Sequence, residues 1–331
     1  MHLTTDQIDP LHILRSTRNV LASAHFLTIH TEAIPQLAAA LEGNMQLTGV
    51  QPPSSAKDES ALTLAVQKAF IFNVLNFCFW AEHEVQKWVV EWPKGTIIEG
   101  GAYALLAALN RAETNGYPIY DANYLAHLSY KDAYTIFRGN TEIAIPLLKQ
   151  RINNLREAGR VLCNRASGKF LQVVRASGHD AIDLVRALVH NFSSFNDTTT
   201  FNEQKVYFHK RAQICAHHVA LLAPLFPECH LYRSDQLTIF ADYRLPQVYR
   251  HFNVLHYLPE LTRVVDTRTL VPLQSRAEVE IRSATVWIAE LVRQHFEGKY
   301  SAVQIDNATW LLSQKIKKEM LPHHRTYTIY Y

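Results

Sequence analysis

The stretch Ser275-Arg276-Ala277-Glu278 opens the segment that decides the fold. A serine followed three residues later by a glutamate is typical of a capping box, in which both side chains satisfy backbone N–H groups at the start of a helix. Beyond it, apolar residues recur at helical spacing on one face: Ile281, Trp287, Ile288 and Leu291. This segment therefore predicts a long amphipathic helix.

The same signals recur along the chain. Helical spacing, first-turn prolines or glycine stops mark seven further segments: residues 29–41, 101–113, 129–138, 146–162, 179–192, 210–222 and 246–252. Strand-like stretches are few and short: residues 206–208, 237–240 and 327–331. We expect a mainly α fold with a few short strands. Because no Pro/Gly/Ser linker divides the chain, we expect one compact domain over residues 1–331. A small N-terminal lobe at residues 1–60 is an alternative.

The composition excludes or disfavours several classes of function. Eleven of 331 residues are glycine, under half the usual share of about 7%. Neither G-x-G-x-x-G nor G-x-x-x-x-G-K-[ST] occurs, so a glycine-rich phosphate cradle is excluded. The net charge of +3 is too small to require a nucleic-acid partner. The 48% hydrophobic content suffices for a full core.

The cysteines and histidines do not form metal motifs. Four cysteines are scattered without a C-x-x-C pair, and no H-E-x-x-H occurs among seventeen histidines. We expect reduced thiols and no bound metal. No secretory signal is recognisable, and the apolar stretch 61–80 contains polar residues typical of a core segment rather than a membrane span.

Residues 238–247 are the most unusual in the chain. An apolar run delivers Asp242 just before a proline-initiated helix, between Phe240 and Tyr243 and next to Arg244. This pattern is one way to hold an ionised carboxylate at the floor of a pocket. The alternative is an Asp that only caps the helix or pairs with Arg244.

Two other clusters carry candidate binding groups. Lys210 and Arg211 begin a predicted helix, where the helix end adds positive potential for an anion; the alternative is two solvated charges. Asp306 and Asn307 precede Trp310, a hydrogen-bonding edge followed by a stacking platform for a flat ring. The alternative is that Asp306 is a helix N-cap.

Several blocks together resemble the queuosine salvage family, the queuosine 5′-phosphate N-glycosylases. They lie in order over roughly residues 15–331: 76–80, 137–148, 210–213, 240–247, 278–282 and 325–331. The resemblance implies a helical fold similar to helix-hairpin-helix DNA glycosylases. It also implies release of queuine from queuosine 5′-monophosphate, leaving ribose 5-phosphate. The free base is then available for insertion into transfer RNA by a separate enzyme. Water is the second substrate, so no cofactor is expected.

The resemblance also implies site roles. Asp242 is the catalytic carboxylate, and Phe240 packs on the nucleoside. Lys210, with Arg211 beside it, binds the 5′-phosphate. The base and its cyclopentenediol arm are held by His25, Asp306, Asn307 and Trp310. Leu311 departs from the acidic residue that relatives often carry there, which puts base recognition in question more than catalysis.

The resemblance leaves two rival functions. One is a glycosylase acting on a base within DNA or RNA, which needs a basic surface along the phosphates. The other is a non-catalytic helical protein that binds the nucleotide or base. We expect the hydrolase, with the small nucleotide and queuine as partners, no direct nucleic acid and no membrane. We expect it in the cytoplasm, with the nucleus as an alternative compartment.

Overall fold

The computed structural model describes residues 9–45, 58–80, 87–141 and 143–331. Within these residues the helices are α1 (Ile13–Leu21), α2 (Ile34–Glu42), α3 (Glu59–Leu75), α4 (Gly101–Thr114), α5 (Ala122–Ala126), α6 (Tyr130–Phe137), α7 (Leu148–Arg165), α8 (Phe170–Ala176), α9 (Ala181–Asn191), α10 (Lys210–Ala220), α11 (Arg244–His251), α12 (Pro259–Asp266), α13 (Arg276–His295) and α14 (Ala302–Lys315). The short strands are β1 (Leu27–Ile29), β2 (Val89–Glu91), β3 (Ile97–Glu99), β4 (Thr198–Phe201), β5 (Gln204–Tyr207) and β6 (Leu255–Tyr257). The predicted mainly α fold is confirmed.

The chain divides into two compact units, each built from separate segments. The first contains residues 1–49, 197–213 and 233–327, and the second contains residues 50–196, 214–232 and 328–331. The single domain over residues 1–331, the lobe at residues 1–60 and the likeness to helix-hairpin-helix glycosylases stay predictions.

The first unit is organised around α13. This helix packs against α1, α2, α11 and α14, and its apolar side chains are buried on nearly every side. Trp287 donates its indole N–H to Thr17 Oγ1 at 3.0 Å, which joins α13 to α1. A helix buried this completely lies at the centre of a core rather than on its surface.

Two antiparallel strand pairs border the first unit. β1 pairs with β6, with Leu27 opposite Tyr257. β4 and β5 form a hairpin, with Thr198 opposite Tyr207. The hairpin leads directly into the start of α10, so its register determines where Lys210 lies.

The second unit packs α7 against α5 and against α3. Arg151 on α7 is fully buried. Its guanidinium donates to the carbonyl oxygens of Leu75, Phe77 and Cys78, where α3 ends. These bonds satisfy acceptors that a helix C-terminus leaves unpaired. The predicted core segment at residues 61–80 is confirmed by this burial. β2 and β3 form a separate two-stranded pair.

Most of the predicted helices are confirmed, with shifted boundaries. The helix predicted over 29–41 begins only at Ile34, because residues 27–29 form β1. Pro146 is not in the first turn of α7; the helix begins at Leu148 after Leu147 adopts a left-handed conformation (φ 55°). The predictions of strands at residues 237–240 and 327–331 are wrong, because neither segment forms a strand ladder.

Three further observations concern the described residues only. None of their helices has the length and apolar character needed to span a bilayer. They contain no group of three or more histidine, cysteine or acidic side chains that could hold a metal ion. No disulfide joins the four cysteines, of which Cys163 is exposed and the others are buried.

Candidate active site

Three segments of the first unit bring together Lys210, Asp242 and Asp306, which we call the charge cluster. Lys210 is the first residue of α10, Asp242 lies two residues before α11, and Asp306 lies inside α14. Their charges interact: both carboxylates favour the ammonium form of Lys210, and the charge of Asp242 acts on Asp306. Residues far apart in sequence thus form one ionisable site, in which Lys210 and Asp306 are buried and Asp242 is half-buried.

Asp242 has one oxygen engaged and one available. Its Oδ1 accepts the backbone N–H groups of Arg244 at 2.7 Å and Leu245 at 3.2 Å, at the start of α11. Its Oδ2 accepts no hydrogen bond from the part of the chain that the structure describes. The side chain is half-buried. The capping alternative is therefore correct for one oxygen, and these two bonds fix the orientation of the carboxylate.

Asp306 is not the N-cap of its helix. Ser301 caps α14 in a complete capping box with Gln304, and Asp306 lies one turn further on. Its Oδ1 accepts the backbone N–H of Phe240 at 2.8 Å. Burial raises the pKa of Asp306 well above its usual range, and the negative charge of Asp242 acts in the same direction. The Phe240 N–H and Lys210 oppose the shift only partly.

Lys210 and Arg211 are not solvated charges. Lys210 is 5% exposed and Arg211 is 1% exposed, so that alternative is wrong. Burial lowers the pKa of Lys210, and the carboxylates of Asp242 and Asp306 counteract this shift. A buried lysine between two acidic groups is expensive to desolvate and needs those partners.

The aromatic candidates differ in accessibility. The Phe240 residue is 3% exposed, and its backbone N–H positions Asp306. Trp310 is four residues after Asp306, so the two lie on one face of α14. Asn307, Trp310 and Leu311 are half-buried. The base-binding roles of these residues stay predictions.

His25 is held through its backbone. Its N–H donates to both carboxylate oxygens of Glu280 at 2.9 Å, and the Phe26 N–H donates to Glu280 Oε2 at 2.7 Å. The imidazole is exposed and meets the Phe26 ring edge-on at 5.0 Å. No described contact joins the imidazole to the charge cluster, so its role toward the base stays a prediction.

A buried ion pair that was not predicted from the sequence lies close enough to the charge cluster for its arginine to act on Lys210. Arg282 on α13 donates from Nη1 and Nη2 to Asp197 at 2.8 and 2.6 Å. Both residues are buried. A signal was present: residues 278–282 place three charged side chains in an otherwise apolar helix. Such charges stay in a core only when they are paired.

The cluster has the groups required for chemistry at an electron-poor carbon. It offers a fixed carboxylate oxygen, a second carboxyl that holds a proton more readily than usual, and one ammonium group. Such preorganised charges stabilise a developing positive charge without reorganisation. The arrangement suits cleavage of a bond to an oxocarbenium-like centre.

Comparison with known proteins agrees with this chemistry. The family model for queuosine salvage protein matches residues 55–331. The chain is 36% identical to a Sphaerobacter thermophilus protein named queuosine 5′-phosphate N-glycosylase/hydrolase, over 98% of this chain and 99% of that one. It is 35% identical to a Mus musculus protein of the same name, over 83% of each chain. It is also 29% identical to a Schizosaccharomyces pombe protein of that name, over 79% of this chain and 82% of the other.

Proposed function

The chain belongs to the queuosine salvage family, and from this premise we propose that it hydrolyses the N-glycosidic bond of queuosine 5′-monophosphate. The products are queuine and ribose 5-phosphate. The observation that supports the proposal best is the charge cluster, in which Asp306 is bonded to the segment that carries Asp242, and both carboxyl groups act on the charge of Lys210. A protein that only bound the base would have no need of a carboxylate with one oxygen fixed and the other available, as in Asp242.

In this mechanism Asp242 acts on the ribose. Cleavage of the bond between C1′ and the base nitrogen leaves the electron pair on the base and positive charge on C1′ and the ring oxygen. The available oxygen of Asp242 stabilises that charge. Water then adds its oxygen to C1′, and its proton is transferred to the departing base. Asp242 orients this water or forms a transient bond to C1′.

The remaining roles follow the charges. Lys210, with Arg211 next to it, binds the 5′-phosphate as a buried cation. Asp306 with its raised pKa holds the base, assisted by Asn307, Trp310 and His25. Phe240 packs on the nucleoside. Every step uses only the chain and water, so the proposal includes no cofactor, metal or nucleic acid. We assign the enzyme to the cytoplasm, which fractionation of the source cells would test.

The first test is Asp242→Asn. The amide oxygen still accepts the N–H groups of Arg244 and Leu245, so the fold is retained, but the negative charge is lost. We expect release of queuine, followed by chromatography, to fall on the order of 1,000-fold or more. Asp235→Asn is the matched control, because Asp235 is exposed and lies in the same segment. Release by Asp242→Asn at the control rate would contradict the assignment.

The second test separates phosphate binding from charge balance at Lys210. In Lys210→Met, kcat/KM for the monophosphate should fall by about 10- to 100-fold, the value of a charge-assisted contact. For unphosphorylated queuosine it should change little. An equal loss for both substrates would mean that Lys210 only neutralises Asp242 and Asp306.

A further inference from the structure

Two separate chain segments meet at the charge cluster, and the buried Arg282 contributes to holding both of them. We define the lysine turn as residues 208–210 and the Asp242 segment as residues 238–242. Arg282 lies beneath them on α13 and is 2% exposed.

On one side, Arg282 holds the lysine turn through Asp197. The guanidinium fork binds both oxygens of Asp197. Asp197 Oδ2 also accepts the backbone N–H of Lys210 at 3.1 Å. The Asp197 carbonyl accepts the N–H groups of Phe208 and His209 at 3.1 and 3.2 Å. Asp197 thus fixes all three backbone N–H groups of the lysine turn.

On the other side, Arg282 reaches the Asp242 segment directly. Its Nε donates to the Ala241 carbonyl at 3.3 Å, one residue before Asp242. The same guanidinium lies over the Phe208 ring, with 3.9 Å between the guanidinium carbon and the ring centroid. Glu278 adds a second carboxylate, 3.7 Å from Nη1. Every donor nitrogen of Arg282 is directed to one of these supports.

We propose that the Arg282–Asp197 pair is a positioning device that sets Lys210 and Asp242 at their working separation. The proposal rests on the proposed function, because the separation matters only if both residues act on one substrate. Neither Arg282 nor Asp197 needs to touch the substrate. A lysine at position 282 supplies one ammonium in place of the planar fork, so it cannot satisfy Asp197 and Ala241 together.

A second side chain, Gln213, also joins the two segments. Gln213 donates from Nε2 to the Phe208 carbonyl at 3.0 Å and accepts the Thr238 backbone N–H at 2.9 Å. This amide also joins the two segments and is unaffected in Arg282→Lys. The variant should therefore fold, with a looser fit between the segments.

The experiment compares Arg282→Lys and Asp197→Asn with Arg250→Lys. Asp197→Asn is isosteric and serves if the arginine variant does not fold. Arg250 is the matched control, since it forms a similar pair with Asp266 at 3.0 Å within the same unit. It contacts neither the lysine turn nor the Asp242 segment. All three proteins are assayed for kcat and KM with queuosine 5′-monophosphate and with queuosine, corrected for the folded fraction.

We expect kcat on the monophosphate to fall by about 10- to 100-fold in both site variants, the effect of misplacing reacting groups by about 1 Å. The preference for the monophosphate over queuosine should fall with it. Hydrogen exchange should become faster at residues 206–213 and at residues 238–246. Arg250→Lys should lower thermal stability alone.

Two results would overturn the inference. The first is that, in both Arg282→Lys and Asp197→Asn, one of the two segments exchanges its amide hydrogens at the wild-type rate. The other is faster exchange with unchanged kcat and phosphate preference, which would make the pair purely structural. If the wild type does not turn over, the proposed function fails, and the exchange data alone decide whether Arg282 couples the two segments.

Discussion

Asp306 is a carboxyl group whose surroundings favour its protonated form. It is buried beside Asp242, and one of its oxygens already accepts the Phe240 N–H. When the other oxygen carries a proton, it becomes a neutral hydrogen-bond donor beside the charges of Lys210 and Asp242. A departing base gains electron density as its bond breaks, so a neutral donor at this position favours departure.

The pH dependence of turnover tests this state of Asp306. Because its pKa is raised, the donor form is present at low pH and is lost as the pH rises through that pKa. Activity should therefore decline on the alkaline side. Asp306→Asn keeps an acceptor for the Phe240 N–H and cannot ionise.

We expect Asp306→Asn to lower kcat by about 10- to 100-fold and to remove the alkaline decline. Asp183→Asn, an exposed substitution in the second unit, should leave both unchanged. The same alkaline decline in Asp306→Asn, measured as kcat/KM against pH, would assign the titration to another group.

Single residues were predictable where their type is unusual in its setting. An Asp after an apolar run indicated Asp242, and adjacent cations at a helix start indicated Lys210. Both residues lie in the charge cluster, and their roles stay predictions. The direction of Asp306 was not predictable, because Ser301 takes the capping role one turn earlier. The pairing of Arg282 with Asp197 depends on tertiary contacts between distant segments, which no local pattern encodes.

Among the elements, α13 supports several parts of the candidate site, and the spacing of its apolar residues does not indicate this role. Glu280 is 0% exposed and holds the backbone of His25 and Phe26. Arg276 donates from Nε to Glu280 Oε1 at 2.9 Å. The helix therefore supports the His25 segment with Glu280 as it supports the lysine turn with Arg282.

We expect Glu280→Gln to weaken base binding more than catalysis. The amide replaces one acceptor by a donor that faces the N–H groups of His25 and Arg276, so the segment shifts. KM and the inhibition constant of free queuine should rise by about 5- to 30-fold, one to two lost hydrogen bonds, with kcat nearly unchanged. Glu290→Gln on the same helix is the control, because Glu290 is buried and pairs with Arg293. An unchanged inhibition constant of queuine would show that the His25 segment takes no part in base binding.

The packing of α7 on α5 has no room for a methyl group. A Cβ on Gly159 would lie 2.3 Å from the Ala126 backbone nitrogen and 2.5 Å from the Ala122 carbonyl oxygen. Alanine is favoured in helices by up to about 1 kcal/mol, but backbone atoms cannot yield as a side chain does.

Gly159→Ala should therefore lower the free energy of unfolding by about 1–3 kcal/mol, as overpacked cores do. Denaturant unfolding measures the change. Gly43→Ala is the control: nothing lies within 4 Å of its added Cβ, and its φ of −70° suits alanine. A Gly159→Ala protein as stable as the control would show that α5 and α7 separate freely.

Helix existence was predictable from capping and periodicity, as the start of α6 demonstrates. Ser129 Oγ accepts the Asp132 N–H at 3.0 Å, as its sequence pattern indicates. The strands were harder, because β1 is three residues long and its partner is β6. An apolar, helix-compatible stretch becomes a strand there through pairing with a distant segment. Residues 237–240 form no strand ladder despite high β propensity, because side chains accept the N–H groups of Thr238 and Phe240.

At the scale of the whole molecule, buried histidines link stability to pH. Burial lowers the pKa of His209 and His217 to about 4 and that of His324 to about 3. The pKa of His323 is also well below its usual range. Unfolded histidines titrate near 6.5, so the unfolded chain binds more protons than the folded chain between pH 6.5 and about 4. The contribution of these histidines to stability is fully present above pH 6.5 and is lost as the pH falls through this window.

His209→Asn should flatten this dependence. His209 has a φ of 50°, and asparagine accepts such a left-handed conformation better than most residues. Each histidine contributes at most on the order of 3 kcal/mol over the window. The difference in unfolding free energy between pH 6.5 and 4.5, from denaturant titrations, should shrink by up to about 2 kcal/mol, because this interval covers only part of the window. His295→Asn, a change at the end of α13, is the control. An identical slope in His209→Asn would exclude His209 as a source.

The pairing of β1 with β6 has a consequence during synthesis of the chain. Leu27 leaves the ribosome early, but its partner Tyr257 is made only after most of the chain. The partner of α1 and α2 is synthesised even later, because both helices pack against α13. Their apolar faces are therefore exposed for most of translation, when chaperones and aggregation compete for them. Nascent chains stalled before residue 255 should accordingly be protease-sensitive at residues 13–42, and those released after residue 295 should be protected there.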